Sequence, residues 1–245
     1  MTGVGWTTAD MCPSMGIVLL QDRLESVARV PLLNFQTFAP GMVDDLVEIS
    51  ETKKTRRWRF HTYDVGAQVC KRSIEQWASW LTHRHLRAVI DDGPGDETGD
   101  RICFALLEAH RIGDLNYRDA LVDAWIQWLQ NGEPAGSLNV DRLQDQSCAG
   151  YADRLDELIC ALILYHDAST VLDEDTGKSD EEFPYDASMC RAVRDLALTH
   201  FALLETKPTD PLQLSQDEFC ERYHNHHFEN WPCYRTKKLP EQSQV

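Results

Sequence analysis

No apolar run in this 245-residue chain approaches the roughly 20 residues that a membrane-spanning helix needs. The opening stretch, Met1 to Gln21, has no basic n-region and no long apolar core, so it does not read as a secretion signal. It also lacks the Arg-rich amphipathic pattern of a transit segment, and the expectation is an intracellular protein, in cytoplasm or nucleus. Positive charge is scarce: 24 Lys and Arg stand against 40 Asp and Glu, for a formal net charge of −16. A chain this acidic has no general electrostatic attraction to nucleic acid or to an anionic membrane. The fingerprints GxGxxG, GxSxG and HExxH and the phosphate-binding P-loop are missing, as are internal repeats and low-complexity tracts. Nothing left reads as strong catalytic chemistry, and a protein that is not an enzyme is expected.

What is present is globular: 42% hydrophobic and 26% charged residues, in a chain long enough to bury a substantial core. The expected class is α+β, with helix predominating. Ile17 to Leu20 and Val27 to Leu33 read as two strands joined by a turn, and Trp58, Phe60 and Thr62 alternate as a third. Phe38, Met42, Val43, Leu46 and Val47 recur at helical intervals within Phe35 to Ile49, which predicts a helix after Pro40-Gly41. The basic run Lys53, Lys54, Arg56, Arg57 and Arg59 reads as a solvated loop. A helix is predicted from Gly66 to Leu86, striped by Cys70, Ile74, Trp77 and Leu81. After the acidic loop Asp91 to Asp100, a helix from Ile102 to Arg111 should stop at Gly113, and Asn116 should cap the next, striped by Leu121, Val122, Trp125, Ile126 and Leu129.

Two further stripes follow, on Leu155, Leu158, Ile159, Leu162 and Tyr165 and on Met189, Val193, Leu196, His200 and Leu203. Ser215 to Glu218 matches a capping box that opens a last short helix. Each tryptophan pair, Trp77 with Trp80 and Trp125 with Trp128, is spaced to put one ring inward and one on a rim. Of the eight cysteines, Cys70, Cys103, Cys160 and Cys190 fall on or near apolar helix faces, where reduced cysteine is an ordinary core residue.

The densest chemical constellation is Cys220, His224, His226, His227 and Cys233. On a helix capped by Ser215, Cys220, His224 and His227 would share one face, with Cys233 returning after Trp231-Pro232. Two thiolates and two imidazoles would make a closed tetrahedral zinc site, structural rather than catalytic, with His226 competing for the fourth place. The spacing C-x3-H-x-H-H-x5-C is not that of a standard zinc finger. The alternative is a tail helix docked by Phe219, Tyr223, Phe228 and Trp231 with its histidines in solvent, and the sequence by itself leans to that reading, without a cofactor. Asp173-x-Asp175-x-Gly177 reads as a solvated acidic loop rather than a calcium site, His83 and His85 as helix-end residues pointing apart, and His166 as another helix-end residue.

The phrase Trp80-Leu81-Thr82-His83-Arg84-His85-Leu86, after a strand and a helix, resembles the ending of that unit in BTB/POZ domains. Glu108 to Ile112 followed by Arg118 to Ala124 is similar to the family's helical hairpin. The tail phrase Cys220-Glu-Arg-Tyr223-His224-Asn-His226-His227, then Cys233, is similar to that of the fungal BTB-like proteins with a helical C-terminal extension. The resemblance implies a small sheet packed by helical hairpins, followed by an all-helical extension. It divides the chain into an N-terminal arm (1–16), a BTB/POZ-like domain (17–131), a linker (132–150), the helical extension (151–235) and a disordered tail (236–245). It also implies an adaptor or self-association module. Its partner would be a protein, a second copy of this chain included. Some members recruit a cullin-type ubiquitin ligase, but no residue here carries that over.

Overall fold

A computed structural model describes residues 17–22, 25–53, 56–66, 68–91, 98–131, 154–166, 209–226 and 231–238. The fold is α+β with helix predominating. Strands β1 (Ile17–Asp22) and β2 (Glu25–Pro31) form an antiparallel hairpin. Strands β3 (Val47–Lys53) and β4 (Arg56–Asp64) form a second, and β4 runs parallel to β1, giving the order β2-β1-β4-β3. Helix α1 (Leu32–Phe38) and a 3-10 turn (Pro40–Asp45) connect the two hairpins. Helices α2 (Lys71–His83), α3 (Arg87–Ile90), α4 (Thr98–Ile112) and α5 (Leu115–Gln130) follow. Then come α6 (Arg154–His166), a 3-10 turn (Pro211–Gln213), α7 (Gln216–Tyr223) and a last 3-10 turn (Tyr234–Thr236).

The sheet corrects the sequence reading in several places. The predicted Phe35 to Ile49 helix is split into α1, the 3-10 turn and the start of β3, and Lys53, Arg56, Arg57 and Arg59 of the basic run lie in the β3–β4 ladder rather than a loop. Val47 and Ile49 are β-branched, and β4 offers them a ladder opposite Thr62 and Phe60, so pairing overrides the helical spacing. The second strand also ends two residues early, because Leu32 and Leu33 begin α1.

Aromatic side chains fix the sheet on α2. Phe35, Tyr63 and Trp77 stand with ring centroids 5.4 to 6.0 Å apart, and Trp80 lies 5.3 Å from Tyr117 and 6.1 Å from Phe38. Trp77 and Trp80 are both buried, against the expected one-in, one-out pairing, because α2 is sandwiched between sheet and hairpin; Trp128 is half-buried, as a rim ring should be. Buried polar groups stitch the same layers. Asn34 donates to the Leu81 carbonyl (3.0 Å), Asn116 to the Phe38 carbonyl (2.9 Å), and the Trp77 indole to Asp114 (2.8 Å).

The turn between α4 and α5 shows why those contacts fit together. Gly113, at φ +84°, ends α4 where a side chain would be strained. Asp114 then caps α5, accepting from the Asn116 and Tyr117 amides, so the cap lies two residues before the expected Asn116. Cys70 is likewise not a core residue: it is exposed and precedes α2, its amide donating to Glu108 (3.0 Å). Cys103 is buried as expected. The structure of Cys190 and of the Met189 to Leu203 stripe lies outside the described residues, as do the Asp173 to Gly177 loop and the Cys160 side chain.

The C-terminal segment packs on this body and extends its core. Phe219 and Tyr223 of α7 join the same buried cluster as Leu158, Ile159 and Leu162 of α6 and Trp125 of α5. The Arg84 guanidinium lies 3.9 Å from the Phe38 centroid, 4.1 Å from Trp80 and 5.3 Å from Tyr234, and it donates to the Tyr234 carbonyl (3.0 Å). Gly41 receives the Trp231 ring so closely that a Cβ there would lie 2.5 Å from it. Among the described residues no helix is long and apolar enough to cross a membrane.

Candidate metal centre

Helix α7 opens as predicted. The Ser215 hydroxyl accepts from the Glu218 amide, and the Glu218 carboxylate accepts from the Ser215 amide at 3.0 Å. It ends sooner than the sequence reading requires. Tyr223 is its last residue, and His224 is extended (φ −84°, ψ 141°), with its amide donating to the Cys220 carbonyl. The helix-face argument that joined Cys220 to His224 and His227 therefore fails. His226 is the residue brought in, and His227 lies outside the described residues.

Cys220, His224, His226 and Cys233 each point one donor atom into a common space, all four atoms lying within 4.8 Å of one another. Cys220 Sγ is 3.6 Å from His226 Nε2, and Cys233 Sγ is 4.0 Å from His224 Nδ1. Neither histidine is in solvent: His224 is 0% and His226 1% exposed, which overturns that part of the docked-tail alternative, while Phe219 and Tyr223 dock the helix as it expected. Both cysteines are half-buried and unpaired by disulfide. The Trp231 amide donates to the His226 carbonyl (3.1 Å), closing the loop that returns Cys233 to the cluster.

The imidazoles are aimed by two carboxylates one turn apart on α5. Asp119, fully buried, accepts from His226 Nδ1 (2.8 Å) and from the amides of Asn225 (2.8 Å) and His226 (3.2 Å). Asp123 accepts from His224 Nε2 (2.9 Å), from Arg235 Nε (2.8 Å) and from the Tyr234 hydroxyl. A carboxylate only accepts, so each contacted ring nitrogen carries a proton, and His226 Nε2 and His224 Nδ1 are the nitrogens left to take a metal ion or a second proton. Those are the two nitrogens that face the thiols.

No protein-family model, curated protein or solved structure matches this chain.

The site's electrostatics favour a cation at its centre. Burial opposes charge on His224, but hydrogen bonds to Asp123 and Cys233 and the fields of both aspartates outweigh it and raise its pKa to about 9. Burial likewise works against the Asp123 carboxylate, yet the donors His224, Arg235 and Tyr234 hold it below the usual range. Burial and the nearby Cys233 push the Cys220 thiol up to about 12, whereas at Cys233 burial is outweighed by hydrogen bonds from His224, the Arg235 amide and Cys220 taken together, and the thiol is lowered. A divalent ion would replace the proton that this arrangement otherwise retains.

Sequence reasoning missed Asp119 and Asp123. The available signal was their spacing: two acids one turn apart, bordering the apolar face that carries Val122, Trp125 and Ile126. Elsewhere, His83 and His85 do not point apart; their rings stack with centroids 5.4 Å apart. His166 does end its helix, and its Nε2 lies 3.0 Å from Asp210 Oδ1.

Proposed function

We propose that this chain is a non-enzymatic protein–protein interaction protein whose C-terminal segment is folded around a structural zinc ion. The observation that carries the zinc reading is the donor set, with the second nitrogen of each imidazole held by a carboxylate. Tetrahedral zinc, with Zn–S near ~2.3 Å and Zn–N near ~2.0–2.1 Å, implies S···N edges of about 3.6 Å. The S···N separations Cys220–His226 and Cys233–His224, 3.6 and 4.0 Å, lie close to that. Thiolate with imidazole suits zinc better than calcium or magnesium, which take oxygen ligands. Four protein donors leave no open position for a substrate, which argues for a structural role. Histidines oriented by carboxylates are the outer shell that such sites use to fix the tautomer and raise ligand basicity.

The interaction reading draws on the strand and helix order and on the resemblance to BTB/POZ domains. Leu33, Val47 and Phe104 are also large apolar side chains left 46% to 58% exposed. Self-association of the full chain is the simplest form of this reading, and light scattering that returns a strict monomer at high concentration removes that form.

Elemental analysis of untagged protein tests the zinc directly. One zinc per chain is expected, and its removal by a strong chelator should lower the melting temperature. Substoichiometric zinc with no change in melting on chelation rejects the site.

A further inference from the structure

The cluster has two unlike sides. Its imidazoles are buried and each is tied to an α5 carboxylate, whereas its two sulfurs belong to half-buried residues. Solvent, and anything small dissolved in it, therefore meets sulfur before nitrogen. The two Sγ atoms lie within 4.8 Å of each other, one on the short helix α7 and the other where the returning loop enters the last 3-10 turn. A disulfide needs an S–S distance of about 2.04 Å. Zinc–thiolate bonds of ~2.3 Å hold two sulfurs at roughly 3.8 Å. A zinc ion bound here would hold the pair short of bonding distance, and two of its ligands would also be the redox-active atoms.

Resting on the zinc reading above, we infer that Cys220 and Cys233 form a peroxide-responsive dithiol that ejects the zinc as it closes to a disulfide. One thiolate sulfur attacks an oxygen of hydrogen peroxide; the S–O bond forms, the O–O bond breaks, and the departing hydroxide takes a proton to become water. The second thiolate then attacks the resulting sulfenic sulfur; the S–S bond forms, the S–O bond breaks, and a second proton completes a second water. The sulfurs lose two electrons and the peroxide gains them. Zinc leaves with only two imidazoles remaining to hold it. His224 and His226 keep their hydrogen bonds to Asp123 and Asp119, so the loop stays near α5 but loses the bridge to α7 and to the 3-10 turn at Tyr234–Thr236.

The test uses the full-length, zinc-loaded chain, with metal content measured first. Hydrogen peroxide is added stepwise while released zinc is followed with a colorimetric chelator, and disulfides are mapped by peptide mass spectrometry. One zinc released for each Cys220–Cys233 disulfide formed is the expected result, with zinc re-bound after reduction by dithiothreitol. C70S, which changes an exposed cysteine outside the cluster, should release zinc with the same profile. C220S should form no such disulfide, and its Cys233 should advance to sulfinic acid. Zinc retained while exposed Cys70 is oxidised, or release accompanied by a different pairing, overturns the switch and leaves the zinc reading standing. A chain that carries no zinc at the outset overturns both.

Discussion

In residues 17–131 the largest fully buried side chains include Trp77, Trp80, Trp125, Phe35 and Phe38. Among the described residues of 211–238 the buried set is Pro211, Phe219 and Tyr223 together with His224, Asn225 and His226. The first region is closed by apolar area, with aromatic rings interlocked between sheet and hairpin. The second has only one eight-residue helix and two 3-10 turns in its described part, too little regular structure to close by apolar contact alone. It closes instead on donors and acceptors: two carboxylates, two imidazoles and two thiols. A core built from rings tolerates loss of any one hydrogen bond, but a cluster of buried polar groups depends on every member finding its partner.

The comparison breaks most severely at Trp77. Its replacement in Trp77→Ala empties a site with no solvent exposure and frees the Asp114 acceptor, and should cost about 3–5 kcal/mol in denaturant unfolding. The folded fraction should still bind zinc with unchanged affinity, because the residue is no part of the C-terminal cluster.

The reverse dissociation is expected at Asp119. In Asp119→Asn the volume is kept, but an amide replaces an acceptor-only group that serves three N–H donors. Zinc affinity should fall about 10–100-fold in a chelator competition. Near-ultraviolet circular dichroism of the tryptophans around α2 should be unaltered.

Asp114 sharpens the contrast through pH. Burial raises its carboxyl to about 6, against the opposing hydrogen bonds from Trp77, Tyr117 and Asn116. A raised carboxyl pKa means that the folded state holds the proton more tightly than the unfolded one. The resulting stabilisation is complete below the ordinary value of 3.8 and is lost as pH rises through about 6. Relative to Asp114→Asn, the wild-type chain should therefore gain stability as pH is lowered from 6 towards 4. The smallest effect is expected at the mouth of α7: Ser215→Ala removes a capping box and should cost about 1 kcal/mol, read as a lower melting temperature.

Much of this contrast could be read in the sequence, for physical reasons that differ by element. The α2 and α5 stripes were legible because Ile74, Trp77 and Leu81, like Leu121, Val122 and Trp125, repeat at helical spacing and are buried for that reason. The α7 cap was legible because a capping box is a local signal. Strand β3 was not, because Val47 and Ile49 become strand only by pairing with β4, a contact beyond any local window. At the Cys/His cluster all four positions were visible among the five candidates, but the part played by His226 depends on α7 ending at Tyr223. Beyond that ending, the amides of Asn225 and His226 are captured by Asp119, more than a hundred residues away in sequence.

The most direct measurement is zinc K-edge X-ray absorption on the untagged full-length protein. Two sulfur neighbours at about 2.3 Å and two imidazole nitrogens at about 2.0–2.1 Å are predicted. A first shell of oxygen and nitrogen without sulfur, or an absorption edge too weak for one zinc per chain, would contradict the account.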